Sequence, residues 1–195
     1  MQNPFEIGYY KSDELRAMGF AEVGKNVSIA KNCSIHGLQN ISLGDNVRID
    51  GFCTITAGKE PVRIGAWIHI GSACLLSGDS GITMEDFSGL SHGVKIFTNS
   101  DDFSGNHLTN PMIPARFRKV HSGPVILRKH VLIGAGSIVL PDVTIETGAA
   151  IGALSLVRKN IPAWTIFAGN PAKRIGTRSQ DLLTLEQALL KEEKS

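Results

Sequence analysis

Aromatic side chains and cysteines are scarce in this sequence. Its 195 residues include eight Phe, two Tyr, two Trp and three Cys, against 21 Gly. This composition indicates a core of aliphatic side chains and a fold with many tight turns. The length suits one sizeable core, so we predict a single domain over residues 1–195.

Long apolar runs and a strong charge of one sign are also absent. No apolar run reaches the roughly 18 residues that a membrane span needs, and the start "MQNPFEIGYY" has no basic segment leading into an apolar one. The formal net charge is only +2, whereas nucleic acids and anionic membranes are bound by concentrated basic surface. We therefore expect a cytoplasmic protein with a small-molecule partner, no nucleic-acid partner and no membrane insertion.

What the sequence does contain is a period of six. In "VLIGAGSIVLPDVTIETGAAIGALSLV", residues 131–157, an apolar residue returns at every sixth position, whereas a helix repeats every 3.6 residues and a strand every two. The same marker recurs along the chain in groups of three, and extra residues enter only after every third hexamer. The marker residues are Val23, Ile29, Ile35, Leu43, Ile49, Ile55, Ile64, Ile70, Leu76, Met84, Leu90, Ile96, Leu127, Ile133, Val139, Ile145, Ile151 and Val157.

Three hexamers per unit, with insertions at one phase, predict a triangular solenoid. Sides of about six residues suit short strands, and coils stacked about 4.8 Å apart pair their backbones with the next coil. We predict about six coils over residues 21–160, with an extended loop 97–122 after coil four, a helical segment 1–20, and a C-terminal segment and helix over 161–195. A sandwich of short strands is the ordinary alternative, but it does not produce a fixed six-residue register.

The three cysteines occupy one phase of this repeat. Cys33, Cys53 and Cys74 are the last inward positions of coils one to three, so they should stack in a column. A zinc site would need converging ligands with closely spaced pairs such as C-x2-C, and the sequence has none. We expect small buried thiols, free rather than disulfide-bonded, and no metal.

The hexamers resemble those of a known family. "IGAGSI", "LPDVTI" and "IGALSL", the closing "VRKNIPAWTIFAGNPAKRIG" and the loop after coil four are similar to the hexapeptide-repeat acyltransferases, over nearly the whole chain. Within that family the sequence looks most like the galactoside and maltose type of sugar O- and N-acetyltransferases and their surface-polysaccharide relatives. The resemblance implies an all-β, left-handed parallel β-helix, acetyl-CoA as donor, and a homotrimer with active sites in the grooves between subunits.

The resemblance also assigns residues to the donor. In the family the pantetheine arm lies along the last coils, and Ala135 and Ala153 stand at the matching positions. Tight turns by themselves require small residues, and an exposed charge run is often a solvated face, so both interpretations stay open. The basic residues that would meet the nucleotide phosphates follow coil six and are Arg158, Lys159, Lys173 and Arg174.

The catalytic base is where the sequence departs from the family. Family enzymes carry a histidine in a T-x-H-P stretch just after coil four, and the corresponding run here is "IFTNSDDFSG". Ser100 takes the place of that histidine, next to Asn99, and both are candidates for substrate contact. Transfer to a hydroxyl needs a base, and histidine is the usual one at neutral pH.

A replacement base is predicted from the loop. Because loop 97–122 leaves and rejoins the prism at one corner, its ends must lie close together, which brings His121 near Asp101 and Asp102. A histidine oriented by a carboxylate is the usual arrangement of a general base. This group is therefore the favoured catalytic one, and a loop-end histidine bonded to backbone is its alternative.

Three further residues are candidates for the site. His107, a further catalytic candidate, lies in mid-loop, where it would reach a neighbouring subunit's groove. His92 faces outward from coil four and is a candidate for substrate contact. Asp79, in "SGDSG" after coil three, matches an aspartate that contacts the acceptor sugar in the galactoside type, although the same run is ordinary turn chemistry. Gly71 stands where that type has an asparagine, so the acceptor is not expected to be a galactoside. The remaining histidines, expected on the surface, are His36, His69 and His130.

These observations favour one function and leave two alternatives. The favoured one is transfer of acetyl from acetyl-CoA to a hydroxyl or amine of a sugar or sugar nucleotide in surface-polysaccharide synthesis, by direct attack in a ternary complex. An amine needs a base less, because its neutral nitrogen attacks directly and loses its proton late to the CoA sulfur or to water. A zinc-dependent carbonic-anhydrase-like solenoid would need three histidines to meet at a subunit interface, with His92, His107 and His121 as the candidates. A non-catalytic scaffold would leave the basic cluster without a role.

Overall fold

The six-residue period corresponds to one side of a three-sided parallel β-helix. The structure is a computed structural model and describes residues 5–193. Seven parallel strands stack edge to edge on the first face, because each coil pairs its backbone with the coils before and after it. The fold is therefore the parallel β-helix that the repeat predicts.

The elements follow one another in the order of the sides of the prism. Two 3₁₀ turns, Leu38–Asn40 and Ala115–Phe117, lie outside the strands. In chain order the strands and helices are β1 (Tyr9–Lys11), α1 (Ser12–Arg16), β2 (Glu22–Val23), β3 (Ser28–Ala30), β4 (Ser34–His36), β5 (Ile41–Leu43), β6 (Val47–Ile49), β7 (Thr54–Ile64), β8 (Ile68–Ile70), β9 (Leu75–Met84), β10 (Gly89–Leu90), β11 (Lys95–Phe97), β12 (Asn99–Asp101), β13 (Val120–Ser122), β14 (Val125–Leu127), β15 (Leu132–Ile133), β16 (Ile138–Val139), β17 (Val143–Ile145), β18 (Ala150–Ile151), β19 (Leu156–Val157), β20 (Thr165–Ala168), β21 (Lys173–Thr177) and α2 (Leu182–Glu192).

Three faces and three corners define the prism. Face 1 consists of β3, β6, β8, β10, β15, β18 and β20, and its two edges pair antiparallel with β1 and β21. Face 2 consists of β4, the first halves of β7 and β9, β11, β16 and β19. Face 3 consists of β2, β5, the second halves of β7 and β9, β14 and β17. Corner 1 joins face 1 to face 2, corner 2 joins face 2 to face 3, and corner 3 joins face 3 to face 1.

The marker residues fill the interior of the prism. All of them are buried except Val23 and Ile35, which are half-buried in the first coil. Complete burial of one such aliphatic side chain contributes about 1.5–3 kcal/mol to folding. The second inward position, two residues before each marker, holds small side chains such as Ser137 and Ser155 in some hexamers and β-branched ones such as Ile68 in others.

The prism has about seven turns, one more than the marker residues predict. Ile161 bridges to Ile145 on face 3, and β20 adds a last strand to face 1. The repeat does not reveal this turn because Ile161 follows Val157 after four residues, whereas the earlier markers are six or more residues apart. Segment 161–195 therefore begins inside the prism.

The N-terminal helix is shorter than the predicted helical segment 1–20. It spans only Ser12–Arg16, a strand precedes it, and residues 1–4 lie outside the described residues. The Ser12 hydroxyl accepts a hydrogen bond from the Val27 N–H at 2.8 Å, and Leu15, 1 % exposed, closes the first coil. Neither helix within residues 5–193 is long and apolar enough to cross a membrane.

The predicted column of cysteines is present on the inner side of corner 1. Cys33, Cys53 and Cys74 are free thiols, and each donates from Sγ to a backbone carbonyl of the next coil at 3.2 Å. Cys53 and Cys74 are 1 % exposed, whereas Cys33 is half-buried. The thiols therefore pack as small hydrophobic groups.

Corner 3 carries a column of rings. Trp67 and Phe87 stack with ring centroids 6.0 Å apart, and Phe87 stacks on His130 at 5.2 Å. The three residues share a left-handed backbone conformation, with φ of 60°, 61° and 63°, which this corner imposes on one residue of each coil. Gly148 takes the same position in the next coil, and the ring of Trp164 occupies the space that a Cβ would fill there.

His130 also anchors the C-terminal helix. Its Nε2 lies 2.7 Å from Oε2 of Glu186 in α2, and Lys129 donates to the other carboxylate oxygen. Arg178 donates to the backbone carbonyl of His130 at 2.7 Å. The prediction that His130 is a surface residue is wrong, since it is 7 % exposed. The ring does point out of the prism, but the C-terminal segment covers it.

The pH dependence of this docking follows from Glu186. Burial alone would raise the pKa of its carboxyl, but hydrogen bonds from Lys129 and His130 outweigh burial and hold that pKa below its usual range. A carboxyl with a lowered pKa stabilises the folded state above its unfolded pKa of about 4.3, and this contribution is lost as pH falls through the folded value. We therefore expect α2 to detach from the prism in acid, below about pH 4.

Amide hydrogen exchange of α2 measures this prediction. Glu186→Gln is expected to exchange faster than wild type at pH 7 and to lose the acid dependence, because its neutral amide no longer binds Lys129 as an anion. Glu193→Gln, exposed at the end of the same helix, serves as the control. Equal exchange in Glu186→Gln and wild type at pH 7 would contradict the proposed anchor.

Candidate active site

The loop after coil four begins and ends as an antiparallel hairpin. Its strands β12 and β13 place Asn99 opposite Ser122 and Ser100 opposite His121, so the predicted closeness of the loop ends is observed. The hairpin borders an open cleft of about 450 Å³ beside corner 2. The residues lining it are Asp101, Asp102, Phe103, Ser104, Asn106, His107, Lys119, Val120, His121 and Ser122.

The structure pairs His107, and not His121, with an aspartate. Asp102 Oδ2 lies 2.8 Å from His107 Nδ1, and the other oxygen accepts from the Ser104 N–H at 2.8 Å. Hydrogen bonds from Ser104 and from His107 hold the pKa of the Asp102 carboxyl far below its usual range. Asp101 accepts from the backbone N–H of Asn110 at 3.2 Å.

The predicted pairing of His121 with these aspartates is wrong: strand geometry separates His121 from Asp101, and Ser104 and His107 occupy the Asp102 carboxylate. Directly opposed residues of an antiparallel pair project to the same side, and successive residues project to opposite sides. His121 faces Ser100, so its side chain lies on the side away from Asp101. Its ring is exposed, and within residues 5–193 it makes no hydrogen bond to Asp101 or Asp102.

Asp79 and Asn99 bind each other at corner 2. Asn99 Nδ2 donates to Asp79 Oδ2 at 3.0 Å, and Asn99 Oδ1 accepts from the Ser80 hydroxyl. Gly58, one coil earlier, lacks a Cβ that would fall on the Asp79 carboxylate. Asp79 and Asn99, both candidates for substrate contact, thus connect coil three to the first strand of the hairpin.

The two alanines assigned to the donor line up with His92 at corner 1. Backbone hydrogen bonds connect this position from coil to coil: Gly93 N–H to the Ser72 carbonyl, Gly136 N–H to the His92 carbonyl, and Leu154 N–H to the Ala135 carbonyl, at 2.8–2.9 Å. The column of outward side chains is therefore Ser72, His92, Ala135 and Ala153. From the C-terminal end of the prism, this column presents Ala153, then Ala135 and then His92, which is its first large side chain. The part of the column formed by Ala153 and Ala135 is called the alanine track below.

The ring of His92 is held in one tautomer. Its Nδ1 accepts from the backbone N–H of Ser72 at 3.1 Å and lies 2.8 Å from the Ser72 hydroxyl. A backbone amide can only donate, so Nδ1 carries a lone pair and the neutral ring has its proton on Nε2. Gly71 permits the close approach, because a Cβ there would lie 2.8 Å from the backbone nitrogen of His92. The exposed Nε2–H is thus a fixed hydrogen-bond donor.

Sequence reasoning identifies His92 but misses Ser72. The signal exists, because Ser72 and His92 are 20 residues apart and hold the same phase in consecutive coils. What the repeat does not encode is the side-chain torsion that turns the imidazole back toward coil three. Only the structure shows that Nδ1 is occupied and Nε2 is available.

Four cations gather at the C-terminal end of the prism. Two of them follow β19 and two belong to β21, beside a pocket of about 250 Å³ that includes Phe167 and Pro171. All four are exposed, and within residues 5–193 they form no ion pair and no side-chain hydrogen bond. An unpaired basic cluster of this kind suits a phosphorylated ligand. The four residues are Arg158, Lys159, Lys173 and Arg174.

Within one chain the three histidines considered above do not meet. His92 belongs to corner 1, whereas His107 and His121 belong to the loop at corner 2. Among residues 5–193 no group of three or more His, Cys, Asp or Glu side chains is placed to hold a metal ion.

Two known proteins are similar to this chain over most of its length. No family model matches the chain. A dTDP-4-amino-4,6-dideoxy-D-glucose acyltransferase from Escherichia coli is 44% identical over 180 residues, which cover 92% of this chain and 94% of that protein. A putative lipopolysaccharide biosynthesis O-acetyl transferase, WbbJ, from Escherichia coli K12 is 30% identical over 163 residues, covering 82% of this chain and 80% of that protein.

Solved structures agree with these relatives. The N-acyltransferase AntD from Bacillus cereus, crystallised with dTDP and 3-hydroxybutyryl-CoA, superposes with a TM-score of 0.92 at 42% identity, covering 96% of this chain and 99% of AntD. A maltose O-acetyltransferase from Clostridium difficile superposes with a TM-score of 0.58 at 25% identity, covering 92% of this chain and 79% of that one. Because the match at 44% identity spans nearly all of both proteins, the chain belongs to the hexapeptide-repeat sugar acyltransferases and is an acyltransferase.

Proposed function

We propose that this chain transfers an acyl group from a CoA thioester to the amine of a dTDP-linked 4-amino-4,6-dideoxy sugar. The observation that carries the proposal is the whole-length match to an acyltransferase named for that substrate. A structure of AntD with dTDP-4-amino-4,6-dideoxyglucose and Coenzyme A, at a TM-score of 0.91 to this chain, supports the same pair of ligands. The proposal selects N-acylation of a sugar nucleotide from the wider set of acceptors that the sequence leaves open.

The donor would lie along corner 1. Ala153 and Ala135 leave room for a thin chain to run beside the backbone, and the unpaired cations at the C-terminal end would bind its phosphates. The alanine track leads to His92, an exposed residue whose Nδ1 is occupied by Ser72, so that Nε2–H is left to donate. We assign to His92 a hydrogen bond to the thioester carbonyl, which would stabilise the negative charge that develops on that oxygen. Acetyl is the simplest acyl group to expect.

The acceptor nitrogen would attack without a protein base. The new C–N bond forms as the C–S bond breaks, and the proton lost by nitrogen goes to the departing sulfur, so the products are the amide and CoA thiol. The replacement of the family histidine by Ser100 agrees with this step. The exposed ring of His121, which binds no carboxylate among residues 5–193, agrees with it as well.

The AntD structures support a site between subunits. AntD variants altered at one serine and at one aspartate ten residues further along were crystallised with Coenzyme A. In this chain Ser91 and Asp101 are the one serine and aspartate with that spacing. Strand β11 separates them, with Ser91 at corner 1 and Asp101 at corner 2. A site that uses both would take them from two subunits of a homotrimer, which we propose as the active assembly in the cytoplasm.

The cellular role we propose is modification of sugars for surface polysaccharides. The relationship to WbbJ, a putative lipopolysaccharide biosynthesis O-acetyl transferase, supports it. A nucleotide-linked amino sugar is the activated form in which such a residue would be delivered for assembly.

Thiol release from acetyl-CoA tests the reaction. We expect turnover with dTDP-4-amino-4,6-dideoxyglucose and none with dTDP-6-deoxyglucose, which carries a hydroxyl at that carbon. His121→Ala is expected to keep kcat within about threefold of wild type, whereas loss of a general base costs about 10²–10⁴-fold. Turnover of the hydroxyl sugar, or a hundredfold loss in His121→Ala, would contradict attack by an unassisted amine.

A further inference from the structure

Face 2 carries a column of outward side chains along its centre. In each coil the residue before the marker points outward, because successive residues of a strand point to opposite sides. On face 2 these residues are aligned from coil to coil by the backbone pairing of β4, β7, β9, β11, β16 and β19. The column contains one cation and no acidic residue. In chain order its members are Ser34, Thr54, Leu75, Lys95, Ile138 and Leu156.

Lys95 lies among aliphatic side chains in this column. Its register partners in the neighbouring coils are Leu75 and Ile138, and Leu156 follows in the next coil. The three aliphatic side chains are partly exposed although they point out of the prism. Lys95 is exposed and, among residues 5–193, forms no ion pair and no side-chain hydrogen bond. Such a surface is suited to burial against another molecule only if the cation receives a counter-ion.

The proposed site between subunits would turn face 2 toward a threefold axis. Ser91 at corner 1 and Asp101 at corner 2 bound this face, so a site that uses both brings corner 1 of one subunit to corner 2 of the next. In a closed ring of three prisms, both contacts are made when face 2 faces the axis. With corner 3 at the axis instead, three corners of a triangle fill only half of a full turn and leave corners 1 and 2 apart. Corner 3 also carries the docked helix α2.

Three copies of Lys95 converge in this arrangement. A side of about six residues is at most about 20 Å long, so the centre of each face would lie roughly 6 Å from the axis. The copies of Leu75 form an aliphatic layer on one side of the lysines along the axis, and the copies of Ile138 form one on the other side. Three ammonium groups between such layers repel one another and lose contact with water, so their charges require compensation.

We propose that the three copies of Lys95 bind one small tetrahedral oxyanion, phosphate or sulfate, on the threefold axis. Three oxygens of the anion each accept a charge-assisted hydrogen bond, so the threefold symmetry of the anion matches that of the site. The aliphatic layers exclude water and strengthen the attraction between the charges. The inference rests on the homotrimer of the proposed function, because a single chain supplies only one of the three lysines.

Calorimetric titration of the full chain with sodium sulfate, at saturating CoA, tests this site. Wild type is expected to bind one sulfate per three chains, a ratio that a site within one chain does not give. CoA is included because the basic cluster at the C-terminal end would otherwise bind sulfate as well. Lys95→Met replaces the cation with an apolar side chain of similar length and should weaken this binding at least about tenfold, since the charge-assisted hydrogen bonds are lost.

A matched variant and two further measurements keep the test specific. Arg63→Met removes an exposed cation from the central column of face 3 and should bind sulfate as wild type does. Sedimentation velocity should show trimers for wild type and both variants. Without sulfate, Lys95→Met should unfold at or above the wild-type temperature, because three repelling charges are gone. Sulfate should then raise the unfolding temperature of wild type and Arg63→Met only.

The outcomes separate this site from the proposed function. Sulfate binding in the same ratio by Lys95→Met, or trimers of wild type that do not bind sulfate in this ratio, would overturn the site. A lower unfolding temperature of Lys95→Met without sulfate would also overturn it, since Lys95 would then pair with a carboxylate of a neighbouring subunit. These results leave the homotrimer and the acyl transfer standing. Monomers in sedimentation would overturn the site together with the proposed assembly, and turnover of the amino sugar tests the reaction separately.

Discussion

Replacing His92 with alanine is expected to lower kcat for N-acylation about 100-fold, because removal of one fixed donor to a developing oxyanion costs roughly 10²–10³-fold. The donor is fixed by the contact with Ser72, whose N–H occupies Nδ1 at 3.1 Å and leaves the proton on Nε2. The KM for acyl-CoA should change little, since the hydrogen bond strengthens mainly in the transition state.

Two variants distinguish a donor from a base. His92→Gln keeps an N–H donor at a comparable reach and is expected to recover most of the lost rate. His36→Ala, which alters an exposed histidine of β4 in the first coil, serves as the control. Nitrogen chemical shifts of His92 should show the tautomer protonated on Nε2. A ring protonated on Nδ1, or activity in His92→Ala that returns at high pH, would identify His92 as a base instead.

The second large effect is on stability and concerns Gly148. Gly148→Ala is expected to lower the free energy of unfolding by about 3 kcal/mol, from the combined cost of a left-handed backbone and a clash with a ring. Its φ is +71°, and an added Cβ would lie 2.3 Å from the ring of Trp164. The ring would have to leave the end of the corner 3 column, against which β20 and α2 are assembled.

Two other glycines with nearly the same φ serve as controls for this prediction. Gly136 has a φ of +69°, and a Cβ there meets the flexible end of the exposed Leu154 side chain at 2.8 Å. Gly93 has a φ of +70° and no neighbour nearer than 3.9 Å. Urea unfolding should therefore rank the alanine variants of Gly148, Gly136 and Gly93 in order of decreasing loss. Equal losses in all three would mean that backbone strain, and not the Trp164 ring, sets the cost.

The prism itself could be predicted from the sequence because each coil is formed by residues that follow one another in the chain. Each side is six residues long, its inward residue is set by the alternation of the strand, and the next coil repeats the pattern. Markers from Leu43 to Val157 are buried as the period predicts. Even the position of loop 97–122 follows, since insertions are tolerated only where the chain turns outward.

The seventh turn and the docking of α2 were not predictable in the same way. Ile161 follows Val157 after four residues instead of six, so a fixed six-residue period does not include it. The contact of Glu186 with His130 joins residues 56 positions apart and depends on the path of β21, which no repeat encodes. The sequence alone therefore left His130 on the surface.

The candidate site likewise combines features that the sequence predicts with features that only the structure shows. By itself the sequence determined the family, the column that holds Ala135 and Ala153, the basic cluster and the absence of the usual histidine at Ser100. The tertiary structure decided which nitrogen of His92 is free and which histidine Asp102 binds. The physical reason is that a period fixes where a side chain leaves the backbone, whereas its torsions and partners are settled by groups from other coils and from the loop.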